Sequence, residues 1–568
     1  MQRQVPTVLD DAIALYIRTY YSLLRSSGSV RVRTLEEAHG GMASSLHPGA
    51  AGPELDLGAL IYAAVRLPAC AWRLSHVVLG QSRDQFVRAG YSDIASWERV
   101  RTPARRRRWQ WNGAGQLAVY VVSASDIDDL IPILVAYQLE WNKVHAALAA
   151  RPALAAQVAD LGGATLPPEL ALALSDALAV PADECARLAS ILGCAGLAAC
   201  AQRELDLSLT LLSGSFVNYQ RASSRWWRAV AADPSGAHLA DRPVYFVSSN
   251  MHALSNLLGG YSRTHAGALG AWVAAENPEG LAEEYQRLQA AGDQAGVDNL
   301  SYYLLRLYAR DAERRRAISA ADLAVGIRTV PSPDEIEVDA QVIPLAQLDP
   351  GRCDPRLAMP GLERLSRSDA LVLNIDYPLG MAAYHMLARV LIEVPGLCGV
   401  YVMGKAATLN ARVGDVMLSD VVHDEHSKNT FLLRNDLTGA QLSPYLRHGS
   451  ALDHQKAITV RSAFLQNRAL MDVFYTEGYT VMEMKTGPYL AALTEATSPR
   501  RYPTDELINL GAPPLPIGIV HYASDTPFSR HKQLLSKSMS FFGMDATYAC
   551  AVAIVRRIFE LELARLGS

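Results

Sequence analysis

The chain has 568 residues, half of them apolar and 19% charged, with a formal net charge of -4. That length exceeds one ordinary core, so two or three globular domains are expected. The nearly balanced charge gives no general electrostatic pull towards nucleic acid or an acidic membrane, and neither partner is expected.

Three chain-wide features set the compartment. The N-terminus, Met1-Gln2-Arg3-Gln4-Val5, lacks the apolar stretch of a signal peptide. The most apolar region, 186–201, is short for a bilayer and flanked by Arg187 and Arg203, so it reads as a buried helix. Seven cysteines, an odd number, argue against a disulfide framework, and Cys185, Cys194 and Cys200 lack zinc-ligand spacing. A reduced, cytoplasmic protein with no metal and no cofactor is expected.

Residues 1–150 read as a mainly helical first domain. A helix starts at the acidic pair Asp10-Asp11 and continues through Ile17 at helical spacing. The run Arg105-Arg106-Arg107-Arg108-Trp109-Gln110-Trp111 places cations beside rings; it reads as a solvated helix end with its tryptophans turned inward, or as a site for a regulatory phosphate. A strand over 116–122 follows the turn at Asn112-Gly113. Ser125 then caps a helix carrying Asp126, Asp128 and Asp129 in its first turn, where the helix dipole favours anions.

The region 151–330 is rich in alanine and leucine and reads as helical, with one strand–turn–helix. There Val244-Tyr245-Phe246-Val247 forms a buried strand and Ser248-Ser249-Asn250 caps the next helix. Such a junction can receive a phosphate, and it is also the ordinary join of a βα unit. Pro331-Ser332-Pro333-Asp334 marks the expected boundary to a third domain, 335–568.

Beyond 335, apolar strands alternate with helices, which predicts an α/β fold with a central mixed sheet flanked by helices. Strands are expected at 371–375, 399–403, 478–484 and 517–522, with a helix over 381–392 and a closing amphipathic helix over 545–563. Ligands of open α/β sheets sit beyond the carboxyl ends of strands, and three such ends carry reactive side chains. The first is Gly404-Lys405-Ala406-Ala407-Thr408, where glycine permits close backbone approach and lysine can face an anion. The second is Glu483-Met484-Lys485-Thr486-Gly487, and the third is Ser524-Asp525-Thr526-Pro527. An aspartate at such a mouth can be shielded enough to carry a proton for a leaving group.

In this order, Met403-Gly404, Val413-Gly414-Asp415-Val416, Glu483-Met484-Lys485 and Ser524-Asp525 resemble the purine nucleoside phosphorylase and AMP nucleosidase superfamily over about 365–565. With its length and N-terminal helices, the chain is also similar to a bacterial subfamily of long proteins of unassigned function. The resemblance implies cleavage of the N-glycosidic bond of a purine nucleoside, nucleotide or related glycoside, by a homo-oligomer. It makes Asp525 the general acid, with Ser524 beside it, and sets Met484 beneath the sugar with Glu483 orienting sugar or base. It places Phe464 and Asn467 where the base is contacted; a core phenylalanine and a surface asparagine fit the sequence equally.

Two departures from the family stand out. Lys485 replaces the glutamate that grips the sugar hydroxyls, and a charged lysine cannot accept their hydrogen bonds. Lys485 could instead meet a phosphate or carboxylate, or mark lost activity. Asp376, in Asn374-Ile375-Asp376-Tyr377-Pro378, stands in the phosphate-side loop and would repel phosphate unless Lys405 offsets it. Water is thus the expected nucleophile, with Asp376 as its base; a phosphorylase, a non-catalytic nucleotide sensor or scaffold, and other chemistry in a specialised pathway are the alternatives. Within His423-Asp424-Glu425-His426 the spacing is not that of a metalloprotease helix, so His426 is read as a ligand or subunit contact, or part of a polar loop.

Overall fold

The computed structural model describes residues 11–102, 104–161, 165–212, 214–236, 238–333, 335–497, 504–511, 513–526 and 541–567. The expected helix start at Val8–Asp10, and Asp334 and Pro527 of the motifs above, lie outside the described residues.

Two sheets organise the chain. The first has six strands: β1 (Val30–Arg31), β2 (His76–Gly80), β3 (Glu98–Val100), β4 (Trp109–Trp111), β5 (Gln116–Tyr120) and β6 (Ser208–Leu211). Its order is β1-β6-β2-β5-β4-β3. The first domain is mainly helical, as expected, and its helices pack with a sheet of which the sequence showed only the strand at 116–122. The sequence hides the rest of it because the strands are two to five residues long and drawn from as far apart as residues 30 and 211. The 26-residue helix Ala124–Ala149 packs against helices Leu57–Ala64 and Ala182–Gln202 and tolerates Pro132. Ser123, not Ser125, caps it, in a capping box with Asp126.

The second sheet has eleven strands: β7 (Val244–Ser248), β8 (Arg328–Val330), β9 (Ala340–Pro344), β10 (Leu371–Ile375), β11 (Leu397–Thr408), β12 (Val416–Asp424), β13 (Thr430–Leu433), β14 (Ala451–Thr459), β15 (Tyr479–Glu483), β16 (Leu507–Leu510) and β17 (Ile517–Asp525). Parallel and antiparallel pairs mix, as expected for this half. β7 lies between β10 and β11, parallel to both. All five of its residues are buried, as a strand covered on both faces requires. The sheet thus begins upstream of the boundary expected at 331–334. The intervening helices, 251–324, separate β7 in sequence from partners it meets only after folding.

β11 is longer than the sequence suggests. It runs through Gly404 to Thr408, beyond the end expected at 403, and closes a circuit of five strands. β11 pairs with β17, β17 with β12, β12 with β14, β14 with β15, and β15 returns to β11. This circuit brings the ends of β15 and β17 level with one another beside Ala407 of β11. The closing helix, Met544–Gly567, lays Tyr548, Val552, Ile554 and Phe559 into the core beneath β11 and β17.

Among the described residues one helix, Ala182–Gln202, is long and apolar enough to cross a membrane. It buries Cys185, Leu188, Leu192, Leu197 and Cys200 and packs on the 124–149 helix, the buried helix expected for 186–201. All seven cysteines are free.

Candidate functional site

The arginine run and the acidic helix start are each other's partners. Residues 105–108 are extended chain leading into β4, not a helix end. Arg105 forms a two-pronged ion pair with Asp129 (2.8 and 2.9 Å), and Arg107 bridges Asp126 and Asp129 (2.8 and 2.9 Å). Asp128, the remaining acid, accepts from Tyr20 (2.6 Å) and Arg461 (3.1 Å). The helix dipole favours anions here, and the arginines hold the Asp129 carboxyl below the usual carboxylate range. Arg106 turns the other way and pairs with Asp376 in the loop after β10. Asp376 is therefore a buried, ion-paired carboxylate rather than the free base expected from sequence.

A second tie joins the two sheets. His426 Nδ1 lies 2.9 Å from Asp424 Oδ1, and its Nε2 lies 2.9 Å from Ser125 Oγ. With Asp424 accepting Nδ1–H, Nε2 is left to accept the serine proton. Ser125 Oγ in turn accepts the Met381 N–H at 2.9 Å. The order is that of a hydrolytic triad, but Ser125 is buried and a Cβ on Gly380 would fall 2.1 Å from its oxygen. No substrate carbonyl fits there. The chain of hydrogen bonds fixes the start of helix Met381–Glu393, which follows the Asp376 loop. His426 serves this tie rather than a ligand.

At the end of β15, Glu483 is consumed by structure. One carboxylate oxygen accepts the backbone N–H of Lys485 (2.7 Å) and of Thr486 (2.9 Å), and the other accepts the Thr459 hydroxyl. Thr459 Oγ1 also takes the Gly487 N–H at 2.8 Å. Glu483 thus caps helix Thr486–Thr497, while burial raises its pKa. Phe464, expected at the base, is wholly buried against Tyr62 (5.2 Å between centroids), His39 and His47. Asn467 caps helix Arg468–Thr476 by accepting from Leu470 N–H at 2.9 Å. Met484 is partly buried against the first domain's core. The sequence leaves core and ligand readings of Phe464 and Asn467 open; both are buried here, Phe464 against the first domain and Asn467 at its helix cap.

Lys485 points inward. Its amine donates to the Met403 carbonyl at 2.7 Å, lies 3.4 Å from Ser248 Oγ at the end of β7, and sits 4.1 Å from the centre of the Tyr377 ring. Gly404 makes room for it, since a Cβ there would stand 3.3 Å from the amine. His521, on β17, lies 3.7 Å from Glu483; burial and then Lys485 push its pKa to about 3, so it is neutral.

The end of β17 is different. Asp525 accepts from Ser524 Oγ at 2.7 Å. Burial raises its pKa, and the Lys405 and Arg66 charges pull back against that rise. Lys405 is reached by solvent, and crowding by protein together with Arg66, Arg105 and Arg106 pushes its pKa to about 8, against the attraction of Asp525. Arg66, from the first domain, lies over the Tyr62 ring at 3.3 Å and donates to Tyr62 O. Its buried Nε has no hydrogen-bond partner among the described residues. Nothing in Ala64-Val65-Arg66-Leu67 marks this arginine in the sequence. From the run at 105–108, Arg106 reaches the second domain at Asp376, while Arg105 and Arg107 pair within the first.

A family model described as a family of unknown function, DUF6909, matches residues 32–560. The chain belongs to that family. The match covers every strand of both sheets except β1. No curated protein matches the chain. Solved structures similar to part of it include an S-adenosylhomocysteine nucleosidase from Streptococcus pyogenes, 9% identical, covering 56% of this chain and 97% of that one at a TM-score of 0.27. A futalosine hydrolase mutant from Helicobacter pylori is 7% identical, covering 56% and 98% at 0.28. A uridine phosphorylase from Schistosoma mansoni is 13% identical, covering 42% and 81% at 0.27. At such scores the chemistry has to be read from this chain's own residues.

Proposed function

We propose that the chain is a nucleosidase-like hydrolase, cleaving the N-glycosidic bond of a purine nucleoside, nucleotide or related glycoside that carries an anionic group. The observation that carries this reading is Asp525: a carboxyl at a strand end, raised by burial, and flanked by Lys405 and Arg66. Burial favours the protonated form that a general acid needs, while the two cations stabilise the carboxylate left after proton transfer. Lys405, together with Arg66 Nε, which has no partner among the described residues, suits an anionic substituent on the substrate. The four motifs in family order support the same reaction class.

Water is the nucleophile in this reading, but Asp376 is not its base while Arg106 holds it. The same pairing removes the repulsion that set Asp376 against phosphate. The deciding assay therefore incubates the full chain with a panel of nucleosides and nucleotides, with and without phosphate, and measures free base. Release without phosphate supports the hydrolase; release only with phosphate makes it a phosphorylase. Saturable calorimetric binding with no release supports a second reading, a nucleotide sensor, which the immobilised Glu483 and buried Phe464 favour. The protein is proposed to act as a homo-oligomer in the cytoplasm, where seven free cysteines stay reduced.

A further inference from the structure

The segment joining β9 to β10, residues 345–370, is built from short 3-10 turns rather than from a helix or strand. In the six-residue turn Leu362–Arg367, side chains three apart eclipse one another. Leu362 and Leu365 therefore share one side and are buried, while Glu363 and Ser366 share the next and are exposed. Leu348, Cys353 and Phe559 of the closing helix complete the wall that the two leucines begin, and together they bound a cavity of about 130 Å³. Pro350, Glu363 and Ser366 form its exposed lip.

Interiors normally close over such a void, because its walls forfeit their dispersion contacts. Here hydrogen bonds hold the frame open. Asp354 accepts from Tyr302 (2.8 Å) and from Arg356 (2.7 Å). Arg556 of the closing helix donates to the Arg356 and Ala358 carbonyls (2.8 and 2.9 Å), and Arg364 donates to Leu563 O (3.2 Å). The segment is thus pinned to helices of the core at several points around the cavity. Burial pushes the Cys353 thiol up to about 12, so the wall carries no charge. Glu363 at the lip makes no ion pair among the described residues, its neighbour Arg364 being turned to the closing helix.

We propose that this cavity binds a small apolar molecule carrying a protonated amine, with a ring or branched alkyl group inside and the ammonium at Glu363. The volume suits one ring, since a cavity of roughly 150 Å³ with walls of this kind stays dry and accepts benzene. Burial of the ring supplies most of the affinity, and solvent-exposed Glu363 adds a small preference for a cation over an anion. The cavity shares no residue with the strand-end mouth, so the proposal is independent of the glycosidic reading.

The test is an NMR titration of the full, methyl-labelled chain with phenethylamine. Saturable shifts at about millimolar concentration or below are expected, with ring contacts to the Leu348, Leu362 and Leu365 methyls. Leu348→Trp and Cys353→Leu each fill the cavity and should weaken binding about tenfold or more without lowering Tm. Glu363→Gln should weaken phenethylamine by about two- to fivefold and leave neutral ethylbenzene unchanged, and 3-phenylpropionate should bind the parent more weakly than either. No saturable binding, contacts elsewhere, or equal binding of all three compounds overturns the proposal. If the parent self-associates and both filled variants do not, the cavity holds a side chain of a second copy and the small-molecule reading fails.

Discussion

The two flanks of the strand-end mouth differ in what holds their acids. At β15, Glu483 accepts from two backbone N–H groups and a threonine hydroxyl, and Phe464 and Asn467 nearby serve the core and a helix cap. At β17, Asp525 accepts from Ser524 among the described residues and faces two cations. Burial raises the pKa of both carboxyls. Hydrogen bonding then separates them: an acid whose oxygens are filled by fixed donors holds structure, and one with spare capacity can exchange a proton. This difference is why the proposed proton transfer is placed at Asp525 and not at Glu483.

The largest expected effect lies on the fixed flank. Phe464→Ala should cost about 3–5 kcal/mol of stability, because it opens a cavity where two domains meet. Urea denaturation measures it; a loss under about 1 kcal/mol would mean the ring is not packed and the flank is open. Next is Asp525→Asn, expected to cut turnover about a hundredfold or more while leaving thermal stability near the parent's. Because the folded pKa is raised, the acid form is lost as pH rises through that raised value. The parent's rate should therefore fall on that limb, and equal rates for parent and variant would remove Asp525 from the mechanism.

Glu483→Gln should come third, destabilising by about 1–3 kcal/mol, since the amide NH2 would confront donors that now need an acceptor. Its activity per folded molecule should hold; a large fall in turnover with unchanged stability would move Glu483 to the chemical flank. The smallest effect belongs to solvent-reached Lys405. Lys405→Met should weaken an anionic ligand by about two- to fivefold at low salt, with the difference fading at high salt. Calorimetry at two ionic strengths would show it, and a salt-independent loss would point to lost packing instead.

The pairing of the two domains has a lesson of its own. Buried Arg107 meets Asp126 and Asp129, so a run that reads as solvated in sequence is an internal network. Removing one partner of such a pair strands a buried charge, which is why the arginine run and the acidic helix start occur together. His426 likewise reads as a ligand or loop residue, and in three dimensions it carries a hydrogen bond from one sheet to the other.

By itself the sequence determined what depends on short range. The apolar runs at 371–375 and 517–522 are strands, the helix over 381–392 is where its spacing places it, and Asn250 caps the helix after β7. The ends of β15 and β17 were visible as reactive because Glu, Lys and Asp follow runs of buried residues. Tertiary structure decided everything that depends on distant partners. It set β7 between strands more than a hundred residues away, supplied Arg66 and Arg106 from the first domain, and filled Glu483 with fixed donors. Pattern and capping are local free energies written into neighbouring residues; sheet membership, ion pairing and burial depend on which surfaces meet, and no stretch of sequence contains both sides of a contact.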